Sequence, residues 1–270
     1  MMRCEPLHWP AEALWQAAVP LLPGLTIEIV PTIDSTNEAL MRRAQAGQTE
    51  PCLLVAEQQT AGRGRLGRVW HSDAAQGPVN LTFSLGLPLA AKDWSGLSLA
   101  VGLSLAQSLH PGLRLKWPND LWWQGRKLGG ILIETMNVGG ATASRFVVIG
   151  IGLNIQTPAA TGLATAPAGL QELLPGIDAA QALGRVALPL VQALAQFERQ
   201  GFAPLQAAFN ARDALAGQPV RLSDGGQGVA NGVDGSGALL LQTAQGVQRV
   251  ISAEVSVRPD AGAFPAVFKA

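Results

Sequence analysis

A strand-like stretch, CLLVAEQQ at 52–59, runs into Gly62-Arg63-Gly64-Arg65-Leu66-Gly67. These six residues match the G-x-G-x-x-G pattern of a dinucleotide-binding turn. That turn needs a strand before it and a helix after it, so that a pyrophosphate can sit on the helix N-terminus. The strand is there, but the helix is not. Residues 68–80 read RVWHSDAAQGPVN, broken by Gly77 and Pro78, and another strand-like run, NLTFSLGL, begins at 80. A dinucleotide turn also works through bare backbone, whereas this loop carries Arg63, Arg65 and Arg68. The pattern therefore argues against a doubly wound nucleotide fold. It leaves a solvated surface loop or an anion site, in which guanidinium forks and backbone N–H groups meet carboxylate or phosphate. Trp70 adds a flat apolar surface for a base or ring.

A nucleic-acid site could use the same parts. However, 19 basic residues balance 19 acidic ones, so no general attraction for nucleic acid or anionic lipid exists. Cys4 and Cys52 are far apart and read as two free buried thiols. His8, His71 and His110 are scattered, and no zinc spacing occurs. No signal peptide and no membrane-length apolar run is present, so a cytoplasmic enzyme or binding protein is expected. With 48% apolar residues a full core can form.

Periodicity organises the rest. A short helix is expected at 11–18 and a strand at 25–30. Ser35 followed by Glu38 predicts a capping box opening a helix that Gly47 stops. Strands are expected at 52–59 and 80–87, and an apolar helix at 95–112. A strand interrupted by Pro-Asn-Asp follows at 113–123, then paired central strands at 125–136 and 145–155. Residues 156–169 read as a loop and 179–213 as helical. From about 216, short strands alternate with Gly, Asp and Asn turns, as in a small barrel. The expectation is an α+β chain with domains at 1–215 and 216–270.

Four further motifs carry chemistry. In KWPNDL (116–121), Lys116 ends a strand, and Asn119 and Asp120 offer hard oxygens suited to Mg²⁺ carrying phosphates; the plainer reading is a turn. GRKLGGILIE (125–134) places Gly129 and Gly130 after Lys127, allowing backbone to approach a ligand; the plainer reading is an exposed hairpin entry. DSTN (34–37) is at least an N-cap. Glycines in GIGLN (150–154) imply a ligand or backbone packed against the strand.

Singly these motifs are weak. In this combination and order, DSTNEAL, AEQQTAGRGRLGRVWHS, LKWPNDLWWQGRKLGGILIE, IGIGLNI and the closing GVDGSGALLL and SAEVSVR resemble the biotin–protein ligases. The resemblance spans about residues 26–258. It implies a catalytic domain like that of class II aminoacyl-tRNA synthetases and an SH3-like C-terminal barrel. It implies an ATP-dependent ligase that forms biotinyl-5′-AMP and passes biotin to a lysine of the biotin carboxyl carrier protein of acetyl-CoA carboxylase. About thirty residues precede DSTN, too few for the winged helix-turn-helix of regulatory members. The monofunctional form without DNA binding is therefore expected. Oligomeric state stays open, a homodimer included.

The resemblance also implies roles. Arg63 and Arg65 would lie over the biotin carboxylate and the α-phosphate, with Lys127 holding the reacting carboxylate and Arg68 supporting the phosphates. Lys116 and Asn119 match nucleotide-phosphate and metal-shell positions, with Asp120 the other metal candidate. Asn154 matches an adenine contact and Trp70 the residue packing on the adenine side. Ser35, Thr36, Asn37 and Gln59, with Gly62, Gly64 and Gly130, match the biotin pocket. Arg258 is the C-terminal residue to expect in contact with the active site. A lipoate–protein ligase shares fold and chemistry but lacks GRGRxGRxW with KWPND. It remains the alternative, beside a nucleic-acid module.

Overall fold

The computed structural model describes residues 7–70, 79–137, 144–159, 165–251 and 257–259. Cys4 and His71 lie outside them. Helices are α1 (Ala11–Ala18), α2 (Thr36–Gln45), α3 (Leu97–Leu109), α4 (Ala179–Gln200) and α5 (Gln206–Asn210). The first seven strands are β1 (Thr26–Ile33), β2 (Cys52–Gln59), β3 (Asn80–Leu89), β4 (Arg114–Lys116), β5 (Asp120–Trp123), β6 (Arg126–Asn137) and β7 (Arg145–Asn154). They form one mixed sheet in the order β1-β2-β3-β7-β6-β5-β4; only β1 and β2 pair in parallel.

Strands covered on both faces read as continuous apolar runs rather than alternating ones. Cys52 to Ala56 are all buried, as is every residue of β7 after Arg145. One face carries α1, α3 and α4 in a single large core; the other carries α2, whose Ala39, Leu40 and Ala44 pack on Leu54, Phe146 and Val148. α3 is apolar on nearly all sides because it lies inside the larger core.

The remaining strands are β8 (Pro219–Leu222), β9 (Gln227–Val233), β10 (Leu239–Thr243), β11 (Gly246–Val250) and β12 (Val257–Pro259). They make an antiparallel sheet in the order β11-β10-β9-β8-β12. Two polar contacts fix it to the larger sheet's side of the molecule. The fully buried Trp117 donates its indole N–H to the Gly237 carbonyl at 3.0 Å. Asn210 grips Val233 by both backbone groups, accepting from its N–H at 2.9 Å and donating to its carbonyl at 3.1 Å.

The chain between α5 and β8 also covers an edge of the large sheet. Leu115 donates to the Arg212 carbonyl, and Ala214 donates to the Leu115 carbonyl, each at 2.9 Å. This places Asp213 in the interior, 8% exposed. Its Oδ1 accepts from Leu215 N at 2.9 Å, while Oδ2 has no hydrogen-bond partner among the described residues. Burial pushes its pKa up to about 6, against the opposing Leu215 hydrogen bond. Because the folded value lies above the unfolded one, this carboxyl favours the fold most at low pH, and the benefit is lost as pH rises through about 6. Asp213→Asn should therefore gain stability relative to the unaltered chain between pH 4 and pH 7, by about 2 kcal/mol. Urea unfolding at both pH values measures this; a difference that does not vary with pH would refute it.

Candidate active site

A cleft of about 840 Å³ lies where the N-terminus of α2, the loop after β2 and the β4–β5 turn face β6, β7 and β12. Of the residues singled out from sequence as ligand-facing, Gly62 and Gly129 are not on its wall. Gly62 instead permits a tight crossing: a Cβ there would lie 2.5 Å from the Trp70 carbonyl oxygen and 3.0 Å from Gln59 Nε2.

One end of the cleft is neutral and buried. Ser35 caps α2 in extended conformation, its Oγ accepting from Glu38 N at a long 3.5 Å. The expected reciprocal capping box does not form; the Glu38 carboxylate pairs with Arg63 across the cleft rim instead. Thr36 N donates to Gln59 Oε1 at 2.7 Å. Asn37 Nδ2 donates to the Leu132 carbonyl at 3.3 Å and to Glu134 Oε2 at 2.7 Å. Ser84, fully buried on β3, reaches Asn37 Oδ1 at 2.6 Å and Thr36 Oγ1 at 2.7 Å. Gly150 makes room for this cluster, since a Cβ would sit 2.1 Å from Asn37 Oδ1.

The other end is cationic. Among the described residues, six basic side chains and one carboxylate line the whole cleft. The carboxylate, Asp120, accepts from Lys127 Nζ at 2.7 Å and lies 3.9 Å from Lys116 Nζ. The β4–β5 hairpin pairs Lys116 with Asp120, and β5 brings Asp120 opposite Gly130 on β6. Lys116 is 11% exposed at its side chain and 5.2 Å from the Trp122 ring centre. Burial lowers its pKa; Asp120 opposes this, while Lys127, Arg68 and Arg258 lower it further. Burial likewise lowers that of Arg65, whose NH1 lies 3.4 Å from Asn119 Oδ1. Such a site is short of negative charge, and an anion would relieve every one of these shifts.

The arginine loop closes on itself. Gly64 N donates to the Arg68 carbonyl at 2.7 Å, and Trp70 N to the Gly62 carbonyl at 2.9 Å. At its apex Leu66 holds φ 57°, uncommon for a side-chain-bearing residue. All three arginines line the cleft, but Arg63 is held by Glu38 at its rim. Trp70 lies flat over Gly152, where a Cβ would be 2.5 Å from its ring atoms. Its Nε1 is buried without a partner among the described residues.

One glycine expectation needs correction. Gly129 gives room to the neighbouring strand, not to a ligand, because a Cβ would meet Gly152 O and a Leu153 methyl at 2.6 Å each. Asn154 is buried, and its Nδ2 donates to the Ala168 and Lys127 carbonyls at 3.0 and 3.4 Å. Only its oxygen is left for a ligand. Sequence reading missed Ser84, Glu134 and the Glu38–Arg63 pair. Arg258 does reach the cleft wall, from β12. Among the described residues no group of three or more His, Cys, Asp or Glu could hold a metal.

The profile of the biotin/lipoate A/B protein ligase family matches residues 29–154, and that of the biotin protein ligase C-terminal domain matches residues 216–258. The chain is 35% identical over 234 residues to the biotin–[acetyl-CoA-carboxylase] ligase of Paracoccus denitrificans, covering 82% of this chain and 96% of that one. The chain belongs to the biotin protein ligase family. It is also 34% identical over 253 residues to the bifunctional ligase/repressor BirA of Escherichia coli, covering 88% of this chain and 75% of that one. Among solved structures, the biotin protein ligase of Aquifex aeolicus in complex with biotin and ATP superposes with a TM-score of 0.72 at 27% identity. That match covers 88% of this chain and all of the other. The fold is that of a biotin protein ligase, a mixed sheet followed by a smaller antiparallel one.

The Trp70–Gly152 contact ties the loop of this biotin protein ligase to the middle of its sheet. Gly152→Ala should force the indole off β7 while leaving the core intact. The Trp70 contribution to tryptophan emission, isolated against Trp70→Phe, should shift to the red. An unshifted contribution would mean that the ring does not rest on Gly152 in solution.

Proposed function

We propose that the chain activates biotin with ATP and transfers it to a lysine of a biotin carboxyl carrier protein. One observation carries this reading: a single cleft joins a neutral, buried polar end to an end with six cations around one carboxylate. A ligand with an uncharged polar head, an apolar body and an anionic tail, lying beside a polyphosphate, matches that division. The Aquifex aeolicus relative binds biotin and ATP, and the Paracoccus denitrificans relative acts on acetyl-CoA carboxylase.

In the first step a carboxylate oxygen attacks the α-phosphorus, a C–O–P link forms, and pyrophosphate leaves. In the second, a lysine amine attacks the acyl carbon, the C–O bond breaks, AMP leaves and an amide forms. Both steps need negative charge neutralised and reactants aligned more than they need covalent help from the protein. Lys127, Arg63 and Arg65 take the reacting carboxylate and α-phosphate. The Arg63–Glu38 pair is exposed on the arginine side, and such pairs are weak, about 0–1 kcal/mol. An incoming carboxylate can therefore draw Arg63 inward. Arg68, Lys116 and Arg258 hold the remaining phosphates. Trp70 packs on the adenine, and Asn154 Oδ1 accepts from it. Ser35, Thr36, Asn37 and Gln59 build the head-group pocket, with Gly62, Gly64 and Gly130 letting backbone close over the chain.

Asn119 and Asp120 are the protein oxygens nearest a Mg²⁺ carried by the triphosphate, and a single carboxylate suits an ion that keeps most of its ligands on phosphate and water. Asp120 is also, among the described residues, the one carboxylate on the cleft wall able to accept the amine proton. We assign residues 1–215 to a catalytic domain related to class II aminoacyl-tRNA synthetases and 216–270 to an SH3-like module that completes the phosphate end through Arg258. A lipoate ligase would share the cationic end, but a dithiolane has no use for the polar floor around Thr36, Asn37 and Ser84.

Incubating the chain with biotin, Mg·ATP and a carrier domain should add one biotinyl group by mass spectrometry; addition from lipoate alone would replace this reading. Lys127→Ala removes a charge-assisted contact worth about 1.5–3 kcal/mol. Biotin-dependent pyrophosphate release should fall tenfold or more with the fold intact, and an unchanged rate would remove Lys127 from the mechanism.

Fixing loop backbone costs about 1–2 kcal/mol per residue, which a bound carboxylate and phosphate can offset. Tryptic cleavage at Arg63, Arg65 and Arg68 should slow in part with biotin and strongly with biotin plus Mg·ATP. Equal rates in all three states would return the loop to a plain surface role.

A further inference from the structure

We propose that Ser84 sets the hydrogen-bonding polarity of the cleft floor, so that Thr36 and Gln59 present two acceptors that a donating ligand group, such as a urea N–H, satisfies. The inference rests on the biotin reading above and adds to it a specificity residue lying outside the sequence motifs.

The argument is a count of protons. Four oxygens run in a line: Asn37 Oδ1, Ser84 Oγ, Thr36 Oγ1 and Gln59 Oε1. Successive separations are 2.6, 2.7 and 3.1 Å. Each of these three contacts wants a proton, but only the Ser84 and Thr36 hydroxyls supply one. The ends of the line cannot help. Asn37 turns its Nδ2 toward the Leu132 carbonyl and the Glu134 carboxylate, groups that accept, so its Oδ1 faces Ser84 as an acceptor. Gln59 Oε1 takes the Thr36 backbone N–H at 2.7 Å, so it too is an acceptor.

One contact must therefore lack a proton, and the two shortest cannot be bare oxygen pairs. Ser84 donates to Asn37 Oδ1, and Thr36 donates to Ser84 Oγ. The 3.1 Å pair, Thr36 Oγ1 and Gln59 Oε1, is left facing without a proton between. Thr36 is 3% exposed and Gln59 half-buried, so water reaches the pair from the cleft side alone, the side a bound ligand covers. A ligand N–H placed between them completes the line, whereas a hydroxyl-free ring or a thioether does not. The cyclic urea of biotin carries such N–H groups and a dithiolane carries none. Discrimination by an unmet buried polar group is stronger than discrimination by shape.

Ser84→Ala breaks the line. The Thr36 hydroxyl then turns to Gln59 Oε1 and that pair no longer needs a ligand proton, while Asn37 Oδ1 is the oxygen that loses its donor. The test is calorimetric titration with biotin and with its two mono-N-methyl ureido derivatives. The unaltered chain should bind biotin at least tenfold tighter than one of the derivatives. Ser84→Ala should weaken biotin tenfold or more and that derivative threefold or less, while kcat at saturating biotin and KM for ATP stay within twofold. An unchanged biotin Kd, a parallel loss for biotin and derivative, or equal binding of all three ligands by the unaltered chain would each overturn the proposal. If Ser84→Ala does not fold, Ser84→Cys keeps the volume with a weaker donor and is judged by the same ratio. Failure of the unaltered chain to bind biotin at all would instead overturn the biotin reading.

Discussion

Asp120 lies between Lys127 and Lys116, the one carboxylate among the described residues of a cleft wall with six cations; Glu38 at the rim pairs with Arg63. Burying cations in this wall is costly, and the lowered pKa of Lys116 records that cost, from burial first and then from Lys127, Arg68 and Arg258 against the opposing Asp120. The sheet makes it bearable by geometry. The β4–β5 hairpin sets Lys116 against Asp120, and the pairing of β5 with β6 brings Lys127 alongside. Gly130 leaves the space that both side chains use, since a Cβ there would come within 3.3 Å of Lys127 Nζ. The positive end is thus preorganised before any anion arrives. That is the condition under which electrostatic stabilisation costs least during reaction.

The neutral end works by the opposite principle. Thr36, Asn37 and Ser84 are nearly or fully removed from solvent, and each polar atom there is worth most when its partner is fixed. Rigidity comes from the strands on either side: Gly150 on β7 lets Asn37 sit flush on the sheet, and Glu134 and Leu132 on β6 hold its amide. Charge would be expensive in such a place and shape alone would discriminate weakly. A floor of oriented dipoles answers both demands.

Much of this was legible in the sequence, for identifiable reasons. Charged residues beside glycines mark places where backbone must turn tightly and a side chain must find a partner, so the arginine loop, Lys116, Asp120 and Lys127 stood out. The strands at 80–87 and 145–155 were visible as apolar runs. Ser84 was not legible, because β3 is buried on both faces and alternation then no longer says which residues face a cleft. Asn80, Thr82 and Ser84 fall on one side of that strand by spacing alone, a clue without meaning until α2 is seen to lie across it. The Glu38–Arg63 pair was hidden for another reason. Glu38 sits at the spacing of a capping box, and local chemistry gave no sign that a residue 25 positions away would claim its carboxylate.

The smaller sheet bears on the chemistry through one buried tryptophan. Trp117 belongs to the turn that carries Lys116 and Asn119, yet its indole N–H reaches the Gly237 carbonyl in the turn between β9 and β10. Gly237 in turn fits against Gly96 at the start of α3, where a Cβ would come within 2.8 Å of its Cα. The same turn that carries Lys116 and Asn119 is thus tied directly to the second sheet. That sheet ends in β12, which lays Arg258 against the cleft near enough to lower the Lys116 pKa. A cation delivered from a separate sheet is only useful if its position is set to within a fraction of an ångström. A tryptophan buried at 0% exposure, with its one polar atom satisfied across the junction, supplies that precision better than a surface ion pair could.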